Sequence, residues 1–271
     1  MSKIEKIGFI GAGKMGSALL EGVLRADIVP ASGILIYEID RTRREDVCRR
    51  HGVRAAAPDE LARACGTILL CVKPNVAAPV LREIREFVGQ EKLVVSIAAG
   101  ITTASIETEL QPGVAVVRAM PNIAATVGQS ATALAAGKAA GAGHLDLAGK
   151  ILGSVGTVVV LPEKLIDAVT GLSGSGPAYV FLFAEALLSG ALKVGLPAKE
   201  ARELVVMTIK GAAAMLEADK DSHPAVLRDA VTTPGGTTIA GLHELESKGF
   251  RNALIRAVEA ATQRSRELGK N

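Results

Sequence analysis

Two glycine-rich stretches of the chain combine residue types that bind anions. The first, Ile7-Gly-Phe-Ile-Gly-Ala-Gly-Lys-Met-Gly16, places Gly11, Gly13 and Gly16 between a short apolar run and a segment with helical apolar spacing. In such a junction the first glycine permits the tight turn and the second lets a pyrophosphate approach the backbone, while the third lets the helix pack on its strand. The pyrophosphate then lies on unpaired amides at the positive end of the helix dipole. The spacing therefore predicts a dinucleotide site.

An acidic residue after the next apolar run strengthens this prediction. On its own, the glycine spacing fits an ordinary strand-to-helix turn about as well. The run Ile34-Leu-Ile-Tyr37 ends at Glu38, and a carboxylate about 20 residues beyond the glycines is the group that binds a ribose diol. A carboxylate there favours NAD over NADP. Arg41, Arg43 and Arg44 follow closely and could bind a 2′-phosphate, so the coenzyme preference stays open.

The second stretch, Thr232-Thr-Pro-Gly-Gly-Thr-Thr238, precedes a predicted helix. Its proline fixes a turn, its two glycines expose backbone amides, and its hydroxyls lie at a helix start whose dipole attracts anions. Such a loop suits a carboxylate. Taken alone, a capping loop without a ligand is the better interpretation, because threonine is a good N-cap. Beside a dinucleotide domain, a substrate site becomes the favoured interpretation.

The elements that must hold the first stretch alternate between strand and helix. This alternation over the first 120 or so residues predicts a doubly wound α/β sheet of Rossmann type. Residues 126–135 and 156–160 could extend the sheet. Ligands of such sheets bind beyond the carboxyl ends of the strands. The residues expected along the cofactor crevice are therefore Lys73, Pro74, Ala98, Ala99 and Gly100.

The second half of the chain loses the strand signal. We predict a dinucleotide-binding Rossmann domain over residues 1–162 and an all-α domain over residues 163–271 for substrate binding and dimerisation. The glycine-rich residues 171–177 are expected to interrupt the helical pattern. Residues 178–194 then form a helix with Ala, Leu and Phe on nearly every face. A helix that is apolar all round must be buried between partners, which predicts dimerisation.

Composition narrows the function classes. A net charge of +3 with scattered basic residues and 3% aromatics argues against nucleic-acid binding. No apolar run reaches the roughly 18 to 20 residues of a membrane span and no signal-peptide core is present, so we expect a cytoplasmic protein. The three cysteines form no Cys-x-x-Cys pair and the four histidines are dispersed, so no metal site is expected. Since no His–Asp or Ser–His constellation is apparent either, the chemistry must come mainly from the cofactor.

Six motifs are distributed over essentially the whole chain. They are Ile10-Gly-Ala-Gly-Lys-Met-Gly16, Cys71-Val-Lys-Pro74, Ser96-Ile-Ala-Ala-Gly100, Arg118-Ala-Met-Pro-Asn122, Gly171-Leu-Ser-Gly-Ser-Gly-Pro-Ala-Tyr179 and Asp229-Ala-Val-Thr-Thr-Pro-Gly-Gly-Thr-Thr238. Together they resemble one enzyme family, pyrroline-5-carboxylate reductase. The resemblance implies NADH- or NADPH-dependent reduction of 1-pyrroline-5-carboxylate to L-proline, the last step of proline biosynthesis. It also implies a Rossmann domain followed by an interleaved dimerisation domain, often assembled further into a ring of dimers.

The resemblance also implies roles for individual residues. Ala12, Lys14 and Met15 would line the cofactor diphosphate beside the three glycines. Val72, Lys73 and Pro74 would line the adenosine side, and Ala98 and Ala99 the nicotinamide side. Gly235, Gly236, Thr237 and Thr238 would receive the substrate across the dimer interface, with Thr238 as the catalytic residue that hydrogen-bonds the imine nitrogen. Glu163 and Asp221 match acidic positions near the substrate pocket. Glu38 is a departure, because many relatives have a small polar residue there.

Two other functions have to be weighed against this one. A hydroxyacid or F420-type dehydrogenase could have a similar N-terminal half. Such enzymes usually need a Lys or His general acid, and the lysines of the long helices, Lys193, Lys199 and Lys210, lie near helix ends or among charges. A dinucleotide-sensing regulator would instead use the helical domain as a protein interface. Turnover of NADH or NADPH with a cyclic imine separates the regulator from the enzyme.

Overall fold

The computed structural model describes residues 6–269, which contain an eight-stranded sheet. The strands run in the order β3-β2-β1-β4-β5-β6-β7-β8. All neighbours pair in parallel except β6 and β7, which are antiparallel. Their bounds are β1 Ile7–Ile10, β2 Ile34–Tyr37, β3 Arg54–Ala55, β4 Thr67–Leu70, β5 Leu93–Ser96, β6 Ala115–Met120, β7 Ser130–Ala136 and β8 Gly156–Val160.

The helices around and beyond the sheet also follow the predicted order. Those of the first 165 residues are α1 Lys14–Arg25, α2 Arg41–His51, α3 Pro58–Ala64, α4 Pro74–Ile84, α5 Thr103–Glu109 and α6 Ala142–Gly153. Those that follow are α7 Ile166–Val169, α8 Gly176–Lys193, α9 Ala198–Ala218, α10 Pro224–Ala230, α11 Thr237–Ser247 and α12 Phe250–Leu268. The doubly wound α/β fold with a helical C-terminal part is therefore confirmed, as is the extension of the sheet by β7 and β8.

The sheet is buried on both faces. In β1, Ile7 and Phe9 belong to an apolar cluster with α1 and α6, whereas Ile10 belongs to a second cluster with α3, α4 and α5. This split follows from the pleat, because successive side chains of a strand point to opposite faces. Parallel strands covered on both sides read as unbroken apolar runs, which is why the sequence pattern predicted them well.

The chain forms two compact units. The first comprises the residues up to Ser175 together with those from Glu259 onward, and the second comprises Gly176–Val258. The predicted boundary between the dinucleotide-binding and helical domains, after residue 162, lies inside the first compact unit and stays a prediction. In the second unit, α8 has no buried residue, and Phe181 and Leu182 are 68% and 67% exposed. One copy of the chain therefore leaves the apolar surface of this helix uncovered.

The glycine-rich residues 171–177 do not interrupt the helical pattern, contrary to expectation. Thr170–Gly174 forms a π-helical turn in which the Ser175 amide donates to the Thr170 carbonyl at 2.9 Å. This wider turn carries the chain directly into α8, so Glu163–Lys193 is one helical stretch.

By length and composition this stretch could cross a membrane, whereas we expected no such run. The expectation treated residues 171–177 as a break in the helix. One helix of this kind is weak support for a span, because helices buried in protein pass the same test.

Candidate functional site

The first glycine stretch forms the predicted strand-to-helix junction between β1 and α1. Gly11 has φ +97°, and a Cβ there would lie 2.7 Å from the Cys71 carbonyl oxygen. A Cβ on Gly16 would lie 2.2 Å from the Gly11 oxygen, whereas one on Gly13 would meet nothing within 4 Å. Gly11 and Gly16 are thus required by the fold itself. Gly13 instead leaves open space in front of the N-terminus of α1, which has no side-chain cap.

Glu38, predicted to bind the ribose, is built into this junction. Its side chain is 5% exposed, and its Oε2 accepts the amide N–H of Ala12 at 2.9 Å. Its Oε1 accepts the Asp40 amide at 3.0 Å and lies 3.3 Å from an Arg43 guanidinium nitrogen. The carboxylate therefore joins the end of β2 to the glycine loop. The Ala12 amide, assigned to the diphosphate, is already engaged by Glu38.

The three arginines that could bind a 2′-phosphate differ in their surroundings. Arg41 pairs with Glu45 at 2.7 Å on the exposed side of α2, and this pairing lowers the pKa of Glu45. Arg43 is half exposed and lies beside Glu38 and Asp40. Arg44 donates to the Glu38 carbonyl oxygen at 3.1 Å. Only Arg43 and Arg44 therefore adjoin the predicted ribose position.

The remaining predicted cofactor residues follow the carboxyl ends of β4 and β5. Val72 lies beside the glycine loop, since its Cγ1 would be 3.1 Å from a Cβ on Gly11. Lys73 and Pro74 are exposed at the start of α4, and Lys73 is its N-cap residue. Ala99 is exposed, whereas Ala98 is 3% exposed, so Ala98 could contact a ligand mainly through its backbone. Lys14 is exposed at the start of α1 and Met15 is half-buried.

The second stretch forms a turn and a helix start within the second unit. The Gly236 amide donates to the Thr233 carbonyl at 3.0 Å, and Gly235 has φ +68°. This is the pattern of a type II turn, with Pro234 and Gly235 at its centre. α11 then begins at Thr237, and its N-cap residue is Gly236, without a side-chain cap. The threonine cap that the alternative interpretation required is therefore wrong, and ligand binding by this loop stays a prediction.

The two hydroxyls at this helix start remain available. Within residues 6–269, the side chains of Thr237 and Thr238 form no hydrogen bond in the structure, and Thr238 is half-buried. Beside the turn lies an open cavity of about 600 Å³. Sequence reasoning missed most of its polar lining, which includes Arg228, Asp229 and His243. These side chains lie on α10 and α11, where the sequence suggested only short helices.

The two acidic residues assigned to the substrate pocket lie in different units. Asp221 is exposed in the turn before α10. Glu163 lies in the first unit, where both of its carboxylate oxygens are engaged by Thr103, at 2.7 Å from the amide nitrogen and 2.6 Å from the hydroxyl. Arg118, which is 4% exposed, lies 3.4 Å from the same carboxylate. Their substrate-binding roles stay predictions, and Glu163 already has structural partners.

The cysteines are poor nucleophiles. Burial raises the pKa of the Cys65 thiol to about 11 and that of Cys71 to about 12. Since a neutral thiol is the unreactive form, neither contributes a thiolate near neutral pH. In the described part of the chain, no three His, Cys, Asp or Glu side chains are grouped closely enough to hold a metal ion.

Two family models match the chain. The model described as "Pyrroline-5-carboxylate reductase dimerisation" matches residues 163–268. The model described as "NADP oxidoreductase coenzyme F420-dependent" matches residues 6–100. The second match covers only the dinucleotide-binding part of the chain, whereas the first covers the loop 232–238.

Relatives and solved structures match the whole length of the chain. A pyrroline-5-carboxylate reductase of Methanosarcina acetivorans is 45% identical over 98% of both chains. One of Arabidopsis thaliana is 40% identical over 98% of this chain and 96% of its own. The structure of a pyrroline-5-carboxylate reductase from Coxiella burnetii has a TM-score of 0.93 at 33% identity and covers 100% of both chains. A Plasmodium falciparum pyrroline carboxylate reductase, solved with NADP bound, has a TM-score of 0.88 at 33% identity over 99% of both chains.

Proposed function

The chain belongs to the pyrroline-5-carboxylate reductase family, and we propose that it reduces the imine of 1-pyrroline-5-carboxylate to L-proline with NADH or NADPH. The observation that carries the proposal is the loop 232–238, because its turn exposes backbone amides that suit a carboxylate and, among residues 6–269, the Thr238 hydroxyl a few residues away is unpaired. A cyclic imino acid needs one group for its carboxylate and one for its ring nitrogen.

The first glycine stretch fits a dinucleotide. The N-terminus of α1 has no side-chain cap, and the space in front of Gly13 is open. The first amides of a helix lack intrahelical partners and attract anions. We assign the diphosphate to the amides of Lys14, Met15 and Gly16, since Glu38 engages that of Ala12. When bound, NADH or NADPH supplies the hydride that reduces the imine carbon.

The loop 232–238 orients the substrate. The Gly236 amide already donates to the Thr233 carbonyl, so we assign the substrate carboxylate to the neighbouring amides of Gly235 and Thr237 at the positive end of the α11 dipole. Thr238 follows in the first turn of α11, where its hydroxyl oxygen would accept the N–H of the protonated imine, with Thr237 beside it. No strong protein acid is needed, because this imine is already protonated near neutral pH. Catalysis then rests on orientation and on the fixed dipoles around the reacting atoms.

The other two functions make different predictions. A hydroxyacid or F420-type dehydrogenase shares the residues 6–100 match but gives no reason for the loop 232–238. A dinucleotide-sensing regulator would bind the coenzyme without turning it over.

A steady-state assay with 1-pyrroline-5-carboxylate and each coenzyme tests the proposal. Consumption of NADH or NADPH with formation of proline is expected. Coenzyme binding without turnover would favour the regulator, and turnover with a hydroxy or keto acid alone would contradict imine reduction.

We further propose that the active unit is a homodimer, with a ring of dimers as the larger assembly, and that each site uses the loop of one chain and the cofactor domain of another. Uncovered apolar residues on α8 and the match of residues 163–268 to a dimerisation model support the dimer. Gly13→Val and Thr238→Ala subunits, co-expressed with different tags and isolated as mixed dimers, test the shared site. If each site is shared between two chains, one site of the mixed dimer carries both substitutions and the other carries neither, so about half of the sites are active. Sites confined to one chain would leave both sites of every mixed dimer defective.

We propose a cytoplasmic location and no membrane or nucleic-acid partner. The three cysteines are free, which is usual in reducing compartments. The apolar stretch Glu163–Lys193 is better used at the dimer interface, because the dimerisation match covers it. Recovery of the protein in the membrane fraction after cell lysis would contradict this location.

A further inference from the structure

Arg118 is a buried charge in the middle of the sheet. It lies on β6, is 4% exposed, and stands in an otherwise apolar strand. Its two terminal nitrogens face different carboxylates, Glu163 at 3.4 Å and Asp167 at 3.6 Å. A buried guanidinium needs such partners, because its desolvation is costly when it is unpaired. The planar guanidinium can donate to two acceptors at once from two separate nitrogens, whereas a lysine ammonium is a point charge on one nitrogen.

Through Glu163, Arg118 is connected to the start of α5. The Glu163 carboxylate accepts the amide N–H of Thr103 at 2.7 Å and its hydroxyl at 2.6 Å. Thr103 is the first residue of α5 and is buried. An anion at this point also suits the positive end of the helix dipole. Arg118 orients Glu163, and Glu163 fixes the start of α5.

Through Asp167, Arg118 is connected to the C-terminal helix. The Ser265 hydroxyl of α12 donates to Asp167 at 2.8 Å, and Ser265 is 5% exposed. One turn further, the backbone of Leu268 and Gly269 packs against Gly100, where a Cβ would lie 3.6 Å from each of them. Gly100 has φ +76°, so this turn depends on glycine. The end of α12 therefore supports the same turn that precedes α5.

Both connections end on the segment that joins β5 to α5. This segment, residues 97–102, carries Ala98 and Ala99, the residues assigned to the nicotinamide side. It is fixed at its β5 end by Ile97, whose amide donates to the Leu70 carbonyl at 3.1 Å. At its other end it is fixed by Glu163 and by the end of α12, and Arg118 lies beside the carboxylate of each connection, Glu163 and Asp167.

We propose that Arg118 is a positioning residue for hydride transfer: with Glu163 and Asp167 it holds residues 97–102 in the place that orients the nicotinamide. The inference rests on the proposed reductase function and extends it to Arg118, a buried residue outside the predicted substrate and coenzyme sites. Small displacements of a reacting group are costly, since misplacement by about 1 Å can slow a reaction by roughly a hundredfold.

Rapid mixing of the enzyme, loaded with one equivalent of reduced coenzyme per site, with saturating 1-pyrroline-5-carboxylate allows a single turnover and separates positioning from folding. The rate constant reports how fast correctly folded molecules transfer hydride, while the amplitude reports how many molecules are folded. For Arg118→Lys we expect the rate constant to fall roughly tenfold to a hundredfold with most of the amplitude retained. Arg118→Lys keeps the charge but replaces the two nitrogens that face the two carboxylates with a single ammonium nitrogen.

A second variant covers the case in which Arg118→Lys does not fold. Valine has nearly the same shape as threonine, and Thr103→Val keeps the hydrogen bond from the backbone amide to Glu163, so this variant should fold. It loses the hydrogen bond from the hydroxyl and should slow hydride transfer by several-fold to about tenfold. Arg82→Met is the matched control. Arg82 pairs with Glu109 at 2.9 Å at the far end of α5, so its loss removes an ion pair from the same helix without touching residues 97–102. Its rate constant should match that of the wild type.

The outcomes separate the two proposals. If the wild type reacts and the rate constants of Arg118→Lys and Thr103→Val equal that of the wild type, the positioning role is wrong and the reductase function stands. A fall in amplitude or melting temperature alone would also overturn it, because it would make the network purely structural. No reaction by the wild type would overturn both.

Discussion

Replacing Glu38 should change the coenzyme preference, because its carboxylate occupies the predicted ribose position, where it would repel a 2′-phosphate. The side chain is 5% exposed, so solvent screens this carboxylate little. Its oxygens already accept the amides of Ala12 and Asp40. A bound ribose diol could donate to the remaining lone pairs, whereas a phosphate would be repelled.

The size of the effect follows from the charges around this position. Two like unit charges about 4 Å apart repel by about 4 kcal/mol at an effective dielectric constant of 20. Arg43, 3.3 Å from Glu38, attracts the same phosphate and offsets part of this repulsion. A net preference of roughly 1.5 to 3 kcal/mol remains, which corresponds to about a tenfold to hundredfold preference for NADH in kcat/KM. Glu38→Ser removes the charge, releases Arg43, and should move the preference toward NADPH by a similar factor.

The assay compares kcat/KM for NADH and NADPH in the wild type, Glu38→Ser and the control Asp46→Asn. Asp46 pairs with Arg49 and Arg50 on α2, so its substitution removes an equal charge eight positions further along the chain, from the helix that follows Glu38. Glu38→Ser should also lose roughly 1.5 to 3 kcal/mol of stability, since two amides lose a charged acceptor. A wild type that strongly prefers NADPH would refute the reasoning and would mean that Arg43 and Arg44 dominate.

The other predictions test the cofactor loop, the substrate loop and the assembly. Gly13→Val should leave the protein folded, because a Cβ there meets nothing within 4 Å, but its side chain should block the coenzyme diphosphate and abolish coenzyme binding. Gly16→Val should instead unfold the junction, because a Cβ there would lie 2.2 Å from the Gly11 oxygen. Coenzyme titration and thermal melts check both variants, and retained coenzyme affinity in Gly13→Val would contradict the predicted dinucleotide site. Thr238→Ala should lower kcat/KM by roughly tenfold to a hundredfold, the worth of one hydrogen bond to a charged group, with an unchanged Kd for NADH or NADPH. Sedimentation at micromolar concentration should detect no monomer, and a fully active monomer would refute the shared site.

The sheet could be predicted from sequence because its signals are local. Unbroken apolar runs such as Thr67–Leu70 identify strands that are buried on both faces. The spacing of Gly11, Gly13 and Gly16 predicted the turn between β1 and α1 in which these glycines lie. The apolar excess of α8 also indicated an uncovered surface. These features depend on neighbouring residues along the chain, so a pattern is enough to find them.

Contacts between distant residues could not be read in this way. Glu163 is assigned to the substrate from the family resemblance alone, and no local pattern shows that its carboxylate accepts hydrogen bonds from Thr103, which is 60 positions away in sequence. Arg118 is a charged residue in an otherwise apolar strand, but no local pattern identifies Glu163 and Asp167 as its partners. The π-helical turn after Thr170 was missed for a related reason, since glycine usually signals a break and only the wider hydrogen-bond spacing shows that the helix continues.

The loop 232–238 shows how structure changes the weight of a sequence argument. From the loop sequence alone, threonine at a helix start is better explained by capping than by substrate binding. The structure makes Gly236 the N-cap residue and leaves the Thr238 hydroxyl without a partner among residues 6–269. Removing that hydroxyl therefore breaks no cap and should cost little stability. Thr238→Ser restores a hydroxyl at the same position and should recover most of the activity lost in Thr238→Ala. If Thr238→Ala instead melts at a much lower temperature and loses coenzyme affinity together with activity, the hydroxyl supports the loop and its assignment to the imine nitrogen is wrong.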